Sequence, residues 1–168
     1  MSKPVVCVAD APEFPMEPEA ESTRFGATIR PLSSALGLDG LGIQHVTVEP
    51  GRRAFPFHNH LGNDEMFLIL SGTGTYRYGE TEHAVKAGDV CAAPRGGPDK
   101  AHQLVNTGTE PLVYYGISTR NDPDVVEYPD SGKFAAFAIA PGENFFTAHL
   151  RHVGKREDTR GYWDGEEL

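Results

Sequence analysis

A chain of 168 residues, 39% hydrophobic and 23% charged, is sized for one globular domain whose core needs no disulfide staple. Its 19 glycines and 13 prolines exclude a helical bundle and favour short strands joined by turns. A formal net charge of −9 argues against nucleic acid and anionic membranes as partners.

Behind Lys3 stands Val5-Val6-Cys7-Val8, too short for a signal-peptide core and followed at once by acids. No apolar run approaches the ~20 residues of a membrane span. Cys7 and Cys91 are too few for a disulfide framework, so a cytoplasmic protein with reduced thiols is expected. Residues 9–22 carry Asp10, Glu13, Glu17, Glu19 and Glu21 between Pro12, Pro15 and Pro18, with no Lys or Arg. That composition reads as an extended arm, and residues 32–37 as a helical turn ended by Gly37.

From Gly42 the texture changes. Residues 43–49, 54–60, 65–71, 73–78, 83–86, 89–93, 102–106 and 111–118 read as short strands. Between them stand turn signals such as Glu49-Pro50-Gly51, Ser71-Gly72, Lys86-Ala87-Gly88-Asp89 and Asn106-Thr107-Gly108. This spacing predicts an all-β sandwich or barrel. Residues 121–124 and 128–132 read as turns, and 134–139 as a further strand. Tyr162 and Trp163, in a charged tail, are expected to dock on the domain itself. The chain thus divides into an arm and lead-in over 1–41, a barrel over 42–118 and an extension over 119–168 that packs on the barrel.

The chemistry concentrates in two segments. In the first, His58 and His60 are two apart on an expected strand, so both imidazoles leave one face. The turn Leu61-Gly62-Asn63-Asp64 brings Glu65 back beside them. Two histidines and a carboxylate on one side of a sheet form half of a site for a divalent transition ion. The second segment, Gly88 to Asn106, offers His102 as a fourth ligand, with Asn106 four residues on.

These two blocks resemble the paired motifs of the cupin superfamily. The first motif runs glycine, His-x-His, three or four residues, Glu, six residues, glycine; Gly51, His58, His60, Glu65 and Gly72 carry it here. The second is carried by Gly88, Pro94, Gly96, His102 and Asn106. The Gly96 to His102 interval is longer than the family's usual gap, and the extra residues should sit at the barrel mouth. The resemblance covers about residues 42–118. It implies a double-stranded β-helix, or jelly roll, whose interior holds one divalent metal (Fe, Mn, Ni, Co or Zn) at His58, His60, Glu65 and His102.

Other residues carry weaker expectations. Arg95, Lys100 and Arg52 or Arg53 are placed near the mouth, where an anionic substrate would pass. Tyr76 and Tyr78 share a strand face opposite Arg77 and are candidate pocket wall, while Asn106 is a candidate substrate contact. His45 reads as an ordinary histidine rather than a pocket group, His83, His149 and His152 as solvated, and Cys91 as a buried small residue. Fold does not settle function in such a superfamily. The leading expectation is a metal-dependent isomerase or epimerase of a sugar or sugar phosphate. An Fe(II)-dependent dioxygenase and a non-catalytic small-molecule binder or sensor are the alternatives. A homodimer is also expected, with Val5–Val8 as a strand added to a neighbour's sheet edge.

Overall fold

The computed structural model of the chain describes residues 4–18, 20–140 and 142–167; Lys3 and Glu19 lie outside them. The strands are β1 (Phe14–Met16), β2 (Ala27–Pro31), β3 (Leu41–Val48), β4 (Asn59–His60), β5 (Glu65–Ser71), β6 (Thr73–Tyr78) and β7 (Thr81–Lys86). They continue with β8 (Val90–Ala93), β9 (His102–Val105), β10 (Leu112–Thr119), β11 (Asp124–Tyr128), β12 (Lys133–Ala138) and β13 (Leu150–Lys155). Among the described residues the one α-helical turn is Ser33–Leu36, and it ends at Gly37, whose φ of 72° is left-handed.

All pairings between strands are antiparallel. One sheet runs β1-β2-β3-β10-β5-β8, a second β13-β12-β11-β4, and a third β7-β6-β9. An antiparallel bridge between His58 and His102 joins the second sheet to the third. The two then act as the facing layer of a jelly roll. Between the layers lies the core, with Val46 and Val48 of β3, Ile69 of β5, Leu112 and Tyr114 of β10 essentially without solvent exposure. Strand alternation explains the choice: on β10, Leu112 and Tyr114 face in while Val113 and Tyr115 are partly exposed. The chain passes from β5 in one sheet to β6 in another at Gly72, where φ is +81° and a Cβ would stand 2.4 Å from the Pro111 carbonyl oxygen, so only glycine fits.

Several expectations are corrected here. Val5–Val8 forms no strand; Val8–Asp10 is a 3-10 turn closed by Asp10 N–H to Cys7 O and Ala11 N–H to Val8 O. The strand expected over 54–60 shrinks to Asn59–His60, because Pro56 has no N–H to give a ladder. The acidic arm is not merely extended, since β1 pairs with β2 and Glu13 is ion-paired to Arg30. Tyr162 and Trp163 do not dock: they are 87% and 63% exposed and stack edge-on against each other at 4.7 Å.

Candidate metal centre

The histidine bridge that joins the two smaller sheets also gathers the polar side chains. His58 N–H donates to His102 O at 3.2 Å and His102 N–H to His58 O at 2.8 Å, which fixes the two backbones side by side. His60 follows on β4. Glu65 begins β5 on the opposite layer and points across at all three rings. Its Oε2 lies 3.6 Å from His58 Nε2, 3.5 Å from His60 Nε2 and 2.9 Å from His102 Nε2. The ligand atoms of His58, His60 and Glu65 all fall within 4.8 Å of one another, a spacing one ion can bridge. His102 falls outside that mutually close set and joins it through the Glu65 carboxylate.

The other ring nitrogens decide what the cluster presents. His58 Nδ1 faces the Pro56 carbonyl at 2.8 Å, and His102 Nδ1 faces the Lys100 carbonyl at 3.2 Å. His60 Nδ1 faces Asp124 Oδ2 at 2.6 Å. Carbonyl and carboxylate oxygens only accept, so each ring carries its hydrogen on Nδ1 and turns an Nε2 lone pair toward Glu65. Lone pairs this close to a carboxylate repel unless positive charge lies among them, as a proton or a cation. Ligand atoms about 2.0–2.1 Å from one ion lie roughly 3.0–3.4 Å from each other in octahedral or tetrahedral geometry. The three separations from Glu65, 2.9–3.6 Å, bracket that range, and His58, His60 and Glu65 are the three that are mutually close. The donor set, three imidazoles and one carboxylate, fits Fe, Mn, Ni, Co or Zn.

The electrostatics follow from the same contacts. Burial opposes the charge on Glu65, but its contacts with His102 and His58 and the charge of His60 overcome it and hold the carboxyl well below its ordinary range. Burial pushes His58 down, against the pull of Glu65. At His60 burial also disfavours the imidazolium, yet the hydrogen bond to Asp124 and the charges of Glu65 and Asp124 outweigh it, and its pKa rises.

Asp124 had no signal in the sequence, where it closes an apparent turn. In the structure it opens β11, next to β4. Besides His60, its carboxylate accepts from Asn63 Nδ2 at 2.7 Å and from the Gly62 and Val125 backbone N–H groups. Asn59 points away from the rings and donates to Gly96 O at 2.7 Å and Glu127 Oε2 at 3.0 Å. Gly96 N–H returns a bond to His60 O. The motif glycine therefore holds the ligand strand in place.

The expected substrate residues are scattered. Tyr76 and Tyr78 do point inward and stack at 6.0 Å, and the Tyr76 ring lies 6.4 Å from that of His102. With His83, Cys91 and Pro94 they wall a cleft of about 550 Å³ that is not lined by His58, His60, Glu65 or His102. The polar groups converge at the imidazoles and not in this cleft. Asn106 is corrected from a substrate contact to a turn lock: it is fully buried, donates to Val48 O and Glu110 O, and accepts from Gly108 N–H. Lys100 is ion-paired to its neighbour Asp99 at 3.0 Å, while Arg95 is exposed and its backbone N–H donates to Asp64. Arg52 pairs with Glu17 at 3.7 Å. Arg53 is corrected in position: it joins Arg24 and Arg77 in a separate cleft. Tyr128, also unread in the sequence, stacks on His58 at 6.3 Å. His45 packs edge-on against Tyr115 on the outer side of its sheet, and Cys91 is buried.

Comparison with known proteins agrees with this geometry. A family model described as the cupin domain matches residues 44–118. A structure from Acidithiobacillus ferrooxidans ATCC 23270, provisionally named a sugar phosphate isomerase, is 30% identical, with a TM-score of 0.68 over 81% of this chain and 80% of that one. A cupin-superfamily structure from Silicibacter pomeroyi DSS-3, named a sugar phosphate isomerase, is 25% identical, with a TM-score of 0.69 over 82% of each chain. A Thermotoga maritima protein named oxalate-binding protein is 33% identical over 60 residues, 36% of this chain and 47% of that relative, so the match spans about half of the curated relative's length. On the fold, the two motifs and these likenesses, the chain belongs to the cupin superfamily.

Proposed function

We propose that the protein is a metal-dependent isomerase or epimerase of a small anionic carbohydrate, with one divalent ion held by His58, His60, Glu65 and His102. The observation that carries this reading is the common orientation of the three rings, each with its Nδ1 on an acceptor and its Nε2 turned to Glu65. The ion would supply a Lewis acid that polarises a carbonyl or hydroxyl. The chain's own residues do the rest. Pro56 O, Lys100 O and Asp124 fix the rings, Glu65 balances charge, and the partial exposure of His58, His60 and Glu65 leaves the group open to a small molecule. Exposed Arg95, next to Gly96 whose N–H bonds His60 O, offers a cation to an anionic substrate. The names of the two isomerase-like neighbours support the substrate class.

The oxalate-binding relative favours a second reading, in which the same group binds a small dicarboxylate without turnover. Incubating metal-loaded protein with sugar phosphates and with oxalate, with and without O₂, separates the two. Oxygen-independent conversion of a sugar phosphate supports isomerisation, and Arg95→Ala should then raise KM while sparing metal content. Oxalate binding without conversion of any sugar phosphate would replace it with the second reading. Oxygen-dependent loss of a substrate would instead identify a dioxygenase.

A homodimer belongs to the same proposal, by a different route from the one expected. Val5–Val8 supplies no strand, but the outer side of the six-stranded sheet exposes Leu41, Met66, Leu70 and Val90. Contiguous apolar sheet surface of this kind favours a second copy of the chain as its cover.

A further inference from the structure

The strands that bring His102 inward carry a different chemistry on their other side. In β6 and β9, Tyr78 pairs with His102 and Tyr76 with Leu104, and these face the core. Alternation turns their neighbours outward: Arg77 pairs with Gln103 and Thr75 with Val105. Over that outward face lie Arg24 from the segment before β2, Arg53 from the β3–β4 connection and Asp130 from the β11–β12 turn. Together they enclose a cleft of about 390 Å³.

Three guanidinium groups in one cleft is unusual in a chain of net charge −9. Arg77 is held rigidly: it stacks 4.2 Å over the Phe57 ring, donates to Gln103 Oε1 at 2.8 Å, and grips Asp130 with two nitrogens at 3.0 and 3.2 Å. Arg53 lies 5.8 Å over the Phe25 ring, and its buried Nε has no acceptor among the described residues. Burial, then the charges of Arg24 and Arg77, depress the Arg53 pKa, while Asp130 pulls the other way. Asp130 and the exposed Glu82 counter two of the three positive charges, so the lining keeps a net positive charge. Thr75 and Thr107, with hydroxyl oxygens 3.1 Å apart, add neutral hydrogen-bonding groups at the edge.

We propose that this cleft is an anion site, separate from the imidazole cluster, that takes a phosphoryl group through Arg53, Arg24 and the Thr75–Thr107 hydroxyls. Guanidinium forks match phosphate oxygens two at a time. A phosphoryl group offers enough acceptor oxygens for more than one fork, whereas a single carboxylate offers two. The site does not rest on the isomerase reading, because Arg77 and Gln103 point out of the sheet where Tyr78 and His102 point in. Free phosphate and the phosphate of a small ester would present the same chemistry.

Isothermal titration of the full chain with inorganic phosphate, at constant ionic strength and with and without EDTA, tests the site; glucose 6-phosphate serves as the ester arm. Saturable binding at one site per chain is expected, unaffected by EDTA and weakened about tenfold or more in Arg53→Gln and in Arg24→Gln. Arg24 is exposed, so its variant remains informative even where Arg53→Gln disturbs folding. Glucose 6-phosphate binding with the same arginine dependence identifies an ester as a source, and binding of inorganic phosphate alone identifies the free anion. Equal affinity in the wild type and both arginine variants, loss of binding on adding EDTA, or the same heat from chloride would overturn the proposal.

Discussion

His60 Nδ1 and Asp124 Oδ2 stand 2.6 Å apart across 64 residues of sequence, and this contact ties β11 to the histidine strand β4. It fixes the ring so that Nε2, rather than Nδ1, faces Glu65. Carboxylates that orient ligand histidines in this way raise the basicity of the ring.

Asp124→Asn keeps the shape and an accepting oxygen but removes the charge. Metal affinity is expected to fall about 10–100-fold while the far-ultraviolet circular dichroism spectrum stays that of the wild type. Asp124→Ala should cost stability as well, because the Gly62 and Val125 N–H groups lose their acceptor. Metal titrations of both variants check this.

The candidate ligands were legible in the sequence because His58 and His60 sit two apart and Glu65 follows one tight turn. His102 was legible through the spacing of its own motif. Asp124 was not, because its partner is 64 residues away and the Asn121-Asp122-Pro123-Asp124 string has the composition of a turn. Register across the β4–β11 pair makes that contact, and no local pattern encodes it. The barrel strands were readable from their spacing and the turn signals between them, whereas β11 and β13, beside turn-like or charged residues, were not. The fate of Arg53 was hidden for a similar reason: only the pairing of β6 with β9 shows which face Arg77 occupies, and so where Arg53 lies.

Ile69 is 1% exposed in the centre of the core. Ile69→Ala is expected to destabilise the protein by about 2–5 kcal/mol, through lost burial and the cavity left behind. Denaturant unfolding of the metal-free protein should show a lower midpoint with an unchanged slope.

The two thiols should differ in reactivity. Burial, with a smaller contribution from the Asp89 charge, pushes Cys91 up to about 11, and Cys7 is exposed. At pH 8, labelling with a thiol reagent is expected to consume one cysteine per native chain quickly and the second only on unfolding. Mass spectrometry should place the fast label on Cys7.

Asp130 has its pKa lowered chiefly by hydrogen bonds from Arg77, against a burial effect of opposite sign. A depressed carboxylate contributes stability that is present above its unfolded pKa and is lost as pH falls through the folded value. Asp130 is more than half exposed, so solvent screening keeps the contribution within about 0.2–1 kcal/mol. Asp130→Asn should therefore be less stable than the wild type near neutrality, and the two stabilities should converge as pH drops below the carboxylate range. Unfolding curves at a series of pH values check the convergence.

The chain of 18.3 kDa is expected to run as a dimer in light scattering, and Val90→Glu or Met66→Glu should shift it toward monomer. A wild type that stays monomeric at high concentration would contradict the dimer.

The proposed site, His58, His60, Glu65 and His102, is expected to hold one divalent ion. Elemental analysis of protein loaded in turn with Fe, Mn, Ni, Co and Zn and then desalted tests it most directly. About one ion per chain is expected with at least one of these metals, together with loss of that ion in His58→Ala and in His102→Ala. A wild type that retains none of the five, or variants that retain as much as the wild type, would contradict it.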